Sequence, residues 1–249
     1  MRKLIFLALS CTILVGCSFN KIFEGKYQLV DDYIEIIDSN IKDLPQLSNV
    51  IAIDHSRLAN QAEEPLLPSK VIMFHDPVLE SSLIEKERLI ALDMPLKILV
   101  YMDENGDSNV IWNQTRYFEE RYNVSFTVEE KQQYDEAMSD VLNGVPESAL
   151  NSFTSDKMAQ NDVITIESEL SLEETIRKAL EVISRNDDVA IFKEIDYQKL
   201  AAQNDVKLPP TYLIMYGAPS PGGKAMKQAQ TLGLDAFPQK LLVWQNEMG

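Results

Sequence analysis

This chain repeats itself, and the repeat constrains its fold more than any other feature. Laid on itself at an offset of 142 residues, positions 53–93 align with 195–235 without a gap. Identical pairs are Ile53/Ile195, Asp54/Asp196, Leu58/Leu200, Ala59/Ala201, Gln61/Gln203, Leu66/Leu208, Pro68/Pro210, Ile72/Ile214, Met73/Met215, Pro77/Pro219, Leu92/Leu234 and Asp93/Asp235. Ordinary composition supplies roughly two or three such coincidences. One inserted residue later the match resumes as Pro95/Pro238, Lys97/Lys240, Leu99/Leu242 and Val100/Val243. So long a period means two copies of a domain, not a solenoid, and 249 residues suffice for two separate cores.

Hydrophobic periodicity within each copy indicates strands and helices interleaved over one sheet. In the second copy, Val163–Glu167 reads as a strand. Ser171-Leu172-Glu173-Glu174 reads as a capping box opening a helix with Ile176, Ala179, Leu180 and Ile183 on one face. Strands follow at Val189–Ile195, Tyr212–Tyr216 and Lys240–Gln245. Short helices are predicted over Tyr197–Gln203 and Lys224–Gln230, with Gly217, Gly222 and Gly223 in a loop between. The first copy follows the same order, its first helix carrying Tyr33, Ile34, Ile37 and Ile41. It continues through the hairpin signal Asp103–Asp107, a strand at Asn109–Asn113, a helix at Tyr117–Tyr122 and a second capping box at Thr127–Glu130. The fold class implied is α+β: two related two-layer α/β sandwich domains, each a mixed or antiparallel sheet with helices on one face. Residues 17–144 form the first domain, 145–162 a polar linker, and 163–249 a second domain truncated at its C-terminal end. The missing sheet edge there needs covering.

The N-terminus carries an address. Arg2-Lys3 precede an apolar run, Leu4–Val15, too short to span a membrane, and Leu14-Val15-Gly16-Cys17 has the form of a lipobox. It resembles the bacterial lipoprotein signal. Residues 1–16 are then a cleaved signal peptide and Cys17 bears the acyl (palmitate) chains of a membrane anchor that needs no transmembrane helix. A plain signal peptide with an incidental Cys is the alternative. Ser18 after the Cys points to the outer membrane, periplasmic face, in a double-membraned cell. Cys11 leaves with the signal, so lipidation of Cys17 excludes thiol chemistry and disulfides. The formal charge of −16 becomes −18 on loss of Arg2 and Lys3, which disfavours nucleic acid and favours a cationic partner.

At Leu208-Pro209-Pro210-Thr211, Tyr216-Gly217-Ala218-Pro219 and Leu234-Asp235 with Pro238 and Lys240, the second copy is similar to the domain of unknown function 302 family. The first matches through Asp54-His55, Pro68, Phe74, Pro77, Leu92-Asp93, Pro95, Lys97 and Trp112-Asn113. The resemblance implies small, often paired α/β sandwich domains and supplies no reaction, cofactor or catalytic residue. The family's Asp-His pair survives as Asp54-His55 but becomes Asp196-Tyr197 in the second copy.

Two sets of residues are candidates for chemistry. Lys97 and Lys240, with the preceding Asp93 and Asp235, recur in both copies and could face an anionic ligand together with the turn Gly222-Gly223; the other reading is a lysine that guards a strand end or pairs with the preceding Asp on a solvated face. His55 and His75 are the only histidines, flanked by Asp54 and Asp76. If their strands are parallel neighbours, the four residues share one sheet edge and could ligate a divalent metal. Otherwise they are polar residues at loop starts. No catalytic residue and no cofactor are assigned, and no nucleophile elbow occurs. The expectation is an envelope lipoprotein that binds a ligand or a protein in a groove at the domain junction, the metal-binding or enzymatic use of Asp54-His55 and His75-Asp76 being the alternative.

Overall fold

The computed structural model describes residues 14–153 and 163–245. Most of the expected signal peptide, the second half of the expected linker and the last four residues lie outside these.

The first copy opens with helix α1, Leu14–Asp43, whose residues Val30, Ile34, Ile37 and Ile41 form a buried stripe at helical spacing. Pro45, two residues beyond its end, cannot continue it. Then come β1 (Ser48–Asp54), α2 (His55–Gln61), β2 (Ser69–His75) and α3 (Pro77–Lys86). A 3-10 turn over Arg88–Leu92 leads to β3 (Leu96–Met102), β4 (Ser108–Asn113), α4 (Thr115–Tyr122), α5 (Val128–Val141) and β5 (Leu150–Phe153). The sheet runs in chain order, antiparallel from β1 to β4, with β5 parallel to β4. The second copy comprises α6 (Leu172–Ser184), β6 (Ala190–Asp196), α7 (Tyr197–Ala202), β7 (Thr211–Gly217), α8 (Pro219–Met226), α9 (Leu232–Asp235) and β8 (Gln239–Trp244), with β6-β7-β8 antiparallel. This is the expected α+β class, with a mixed sheet in one copy and an antiparallel one in the other.

The repeat extends to irregularities. β1 slips register between Asn49 and Ile51, and β6 slips between the equivalent Ile191 and Lys193. The bonds Met94–Pro95 and Phe237–Pro238 are both cis. Both capping boxes form, at Thr127/Glu130 and Ser171/Glu174.

Three expectations are corrected. Val163–Glu167 is irregular: Ile164 and Ile166 are exposed, so no partner strand rewards extension. The linker assigned to 145–162 begins later, because Leu150–Phe153 pairs with β4; its polar centre, Asn151-Ser152, hides a strand from periodicity. Gly222 and Gly223 lie inside a helix, α8, which starts at Pro219 in the N1 position where its missing N–H costs nothing.

Helix α2 packs on α8, and α7 packs on α3. The Arg88–Leu92 turn lies on β7 and β8, while α9 lies on β2 and β3. By the repeat α2 corresponds to α7, α3 to α8 and the turn to α9, so the two copies meet as the halves of a two-fold dimer do, each inserting the same element onto the other's sheet. Helix α1 also crosses β1–β3, which leaves it the opposite face of the first sheet. One buried cluster runs through the junction, joining Met73 and Leu99 to Leu213, Met215, Leu234 and Leu242. Among the described residues no helix is long and apolar enough to cross a membrane.

Candidate functional site

The recurrent acids and lysines converge where the copies meet. Asp93 closes the Arg88–Leu92 turn and Asp235 ends α9, while Lys97 and Lys240 lie near the starts of β3 and β8. Lys97 Nζ stands 3.1 Å from Asp235 and 3.4 Å from Asp93, and Lys240 Nζ stands 3.6 Å from Asp93. Lys240 also donates to the Asp235 main-chain carbonyl. Each lysine thus contacts an acidic residue of its own copy and one of the other. The solvated strand end that lysines at such positions suggest is replaced by burial: Asp93 is 1% and Lys97 5% exposed.

Residues from α4 close this network around Asp93. Arg121 Nε lies 3.1 Å from its carboxylate, and the hydroxyls of Tyr122 and Tyr117 donate to it at 2.6 and 3.3 Å. From the end of β4, Asn113 Nδ2 donates to both oxygens of Asp235, at 2.9 and 3.1 Å. Sequence reasoning placed Tyr117, Arg121 and Tyr122 on a helix without assigning them to a site. Their spacing sets Tyr117 and Arg121 on one face, the available signal.

Electrostatics follow from this crowding. Burial raises the Asp93 carboxyl, but Lys97, Lys240 and Arg121 outweigh burial and hold it well below the usual carboxylate range. Burial lowers Lys97, yet Asp235 and Asp93 more than restore it. Lys240 goes the other way: burial and repulsion from Lys97 push it down to about 8. Desolvation and the Asp93 charge drive Tyr117 and Tyr122 far above the usual phenol range. Asp93 thus carries its charge among three cations in a medium where leaving it unpaired costs several kcal/mol, about 3–5 by analogy with other buried pairs.

The histidines do not share an edge. β1 and β2 are antiparallel, with Ser48 opposite His75 and Asp54 opposite Lys70, so His55 and His75 stand at opposite ends of the pair. The parallel arrangement that would have joined them is corrected: the chain returns antiparallel, which sets the ends of β1 and β2 at opposite sides of the sheet. Asp54 caps α2, accepting from the Arg57 N–H at 2.7 Å, as Asp196 caps α7. Asp76 caps α3 through the Leu79 N–H and accepts from Gln133. His75 Nδ1 pairs at 2.8 Å with Glu80, a fully buried carboxyl whose burial raises its pKa against the opposing effect of His75. His55 Nε2 lies 3.1 Å from the Gly233 carbonyl. Burial pushes its pKa down to about 4, so the neutral ring donates that bond across the junction. Among the described residues no three His, Cys, Asp or Glu side chains gather as a metal-holding group.

Glycines set the closeness of the junction. A Cβ on Gly223 would lie 2.7 Å from the Ala59 Cβ of α2, and one on Gly233 would lie 3.1 Å from the His55 ring. The expected groove is correspondingly filled. A cavity of about 30 Å³ between His55, Leu58, Phe192, Pro219, Met226 and Phe237 remains, room for one water rather than a ligand.

A family model described as "Domain of unknown function DUF302" matches residues 24–145 and 164–249. Among curated proteins the chain is similar to "Fluoride-specific ion channel FluC 1" of Brucella suis biovar 1, at 28% identity over 116 residues that cover 47% of this chain and 42% of that protein. It is likewise similar to "Fluoride-specific ion channel FluC 2" of Brucella melitensis biotype 1, 28% identical over 116 residues, 47% of this chain and 40% of that protein. The chain spans about two-fifths of the length of these relatives. A solved structure, an uncharacterized conserved DUF302 protein from Bacillus stearothermophilus, is similar at 13% identity and a TM-score of 0.39, over 45% of this chain and 88% of that one.

Proposed function

The chain belongs to the DUF302 family through both of its repeats, and on that premise we propose that it is a lipid-anchored binding protein of the bacterial cell envelope, its two domains locked into one body. One observation carries this reading: Asp93, Lys97 and Lys240 are buried in ion pairs across the junction, and only Asp235 keeps part of its carboxylate at the surface. Groups so paired hold two domains in a fixed relation, and the work of recognition passes to the outer surface. The acidic surplus suits a cationic partner.

Support for the anchor is the lipobox ending at Cys17, and Ser18 after it favours the periplasmic face of the outer membrane where the cell has one. Helix α1 adds a spacer: Cys17 precedes Val30, a buried residue of its stripe, by about 20 Å of helical rise. Such a stalk keeps the paired domains clear of the lipid headgroups. The test is fractionation of envelopes carrying the full chain or its Cys17→Ser variant. The parent is expected in the membrane fraction after a salt wash and the variant in the soluble fraction. A variant retained like the parent overturns the anchor.

A further inference from the structure

The two-fold relation between the copies has one broken half. In the first copy β4 pairs with the outer edge of β3, and α4 behind it brings Arg121, Tyr117 and Tyr122 onto Asp93, whose side chain is 2% exposed. In the second copy β8 corresponds to β3 and Asp235 to Asp93. Among the described residues no strand pairs with the outer edge of β8. Asp235 meets Lys97 and the Asn113 amide, but among the described residues no guanidinium or phenol is hydrogen-bonded to it, and its side chain is 25% exposed.

The edge is also unguarded. β6, at the other side of the same sheet, carries exposed Lys193 and Glu194 and a register slip, devices that discourage pairing. β8 reads Gln-Lys-Leu-Leu-Val-Trp, and its one charge, Lys240, is turned into the ionic junction.

We propose that the outer edge of β8 takes an extended segment of a partner protein, added antiparallel, apolar along its middle and followed by a basic side chain that binds Asp235. The first copy supplies the template, since β4 runs antiparallel to β3 with Val110 opposite Val100 and Ile111 opposite Leu99. The corresponding β8 positions are Val243 and Leu242. Main-chain hydrogen bonds give such strand addition its affinity, and the side-chain pockets and the carboxylate give it selectivity. A second copy of this chain is a poorer occupant, because two bodies of charge −16 repel and β4 is already engaged in its own sheet. The proposal rests on the reading of the chain as a binding protein and names the kind of partner.

The probe is a synthetic peptide with the sequence of residues 107–122, which carries β4, Tyr117, Arg121 and Tyr122. It is titrated into the full chain while amide hydrogen exchange is followed over 239–244. The expected result is saturable binding that slows exchange of β8 amides. Affinity should fall at least tenfold when the peptide carries both Val110→Pro and Ile111→Pro, which break the extended ladder whichever amide faces β8, or Arg121→Glu, which places a like charge at Asp235. Variants confined to the peptide leave the fold of the protein untouched. The proposal is overturned by any of four results: no saturable binding, equal binding of the proline peptide, protection before peptide is added of those β8 amides that do not bond to β7, or a self-associated form that the peptide does not dissociate. None of these bears on fractionation of the Cys17→Ser variant, so failure here is distinguishable from failure of the anchor.

Discussion

His55 and Tyr197 occupy the same place in the two copies, each at the start of the helix after the first strand, and each meets the junction differently. The Tyr197 ring packs edge-on against His75 with ring centres 6.3 Å apart, whereas His55 reaches the Gly233 carbonyl. His55 ties stability to pH. Its folded pKa, about 4, lies below the unfolded value of 6.5. The unfolded chain therefore takes up the proton first as pH falls, and stability is lost progressively from about pH 6.5 down to about pH 4. The full lowering is worth about 3 kcal/mol. At pH 5 about 2 kcal/mol of it is gone. Glu80, raised by burial, acts in the opposite sense. The comparison is therefore with His55→Gln, which keeps an N–H donor, cannot titrate and retains Glu80. Urea unfolding of both proteins at about pH 7 and pH 5 should show the parent losing about 2 kcal/mol more than the variant. Equal losses would remove His55 from the account. At this scale recurrence in both copies drew out Asp93, Lys97, Asp235 and Lys240, as it did Asp54 and Asp196, and the fold brings the first four together. It left out Arg121 and the two tyrosines because the second copy has no described equivalent of α4. Pairing across the junction is a property of tertiary packing, on which one-dimensional spacing is silent.

Elements were legible where periodicity or caps announced them. The stripe Val30, Ile34, Ile37, Ile41 and both capping boxes are local signals read by local rules. Leu150–Phe153 and the start of α8 were missed because each depends on a distant surface. The strand exists through β4, and the two glycines of α8 sit in a helix because α2 presses against one of them. That reading separates two neighbouring residues with opposite expectations. At Gly222 an added Cβ meets only ring atoms of Phe237, the nearest at 3.7 Å, so Gly222→Ala should stabilise by about 0.5–1 kcal/mol through helix propensity. At Gly223 the same methyl meets the Cβ atoms of Ala59 at 2.7 Å and Glu64 at 3.1 Å, neither of which can swing aside. Gly223→Ala should destabilise by about 1–3 kcal/mol. Thermal or urea unfolding of the two variants checks this, and stabilisation by Gly223→Ala would mean that α2 and α8 do not pack at the distance described.

A tandem repeat invites the picture of two beads that fold separately, and the composition of the core argues against it. The buried cluster is continuous between copies, and each copy's short helical element before its third strand lies on the other's sheet. Parting the copies would expose that apolar surface and strip Lys97 of Asp235 and Lys240 of Asp93. The molecule should then unfold as one cooperative unit. Each copy carries one tryptophan, Trp112 in the first and Trp244 in the second, so Trp244→Phe and Trp112→Phe leave a single fluorescent reporter on each. Coincident urea midpoints from the two reporters are expected, the standard sign that no half-folded state is populated. Asp93→Asn makes the test sharper. It leaves Lys240 and Arg121 without their carboxylate and should cost about 3–5 kcal/mol. Asp93 belongs to the first copy, yet a cooperative molecule requires the Trp244 reporter in the second to shift with it. A shift confined to Trp112 would show two separable domains, and the ionic junction would then fasten bodies that each stand without it.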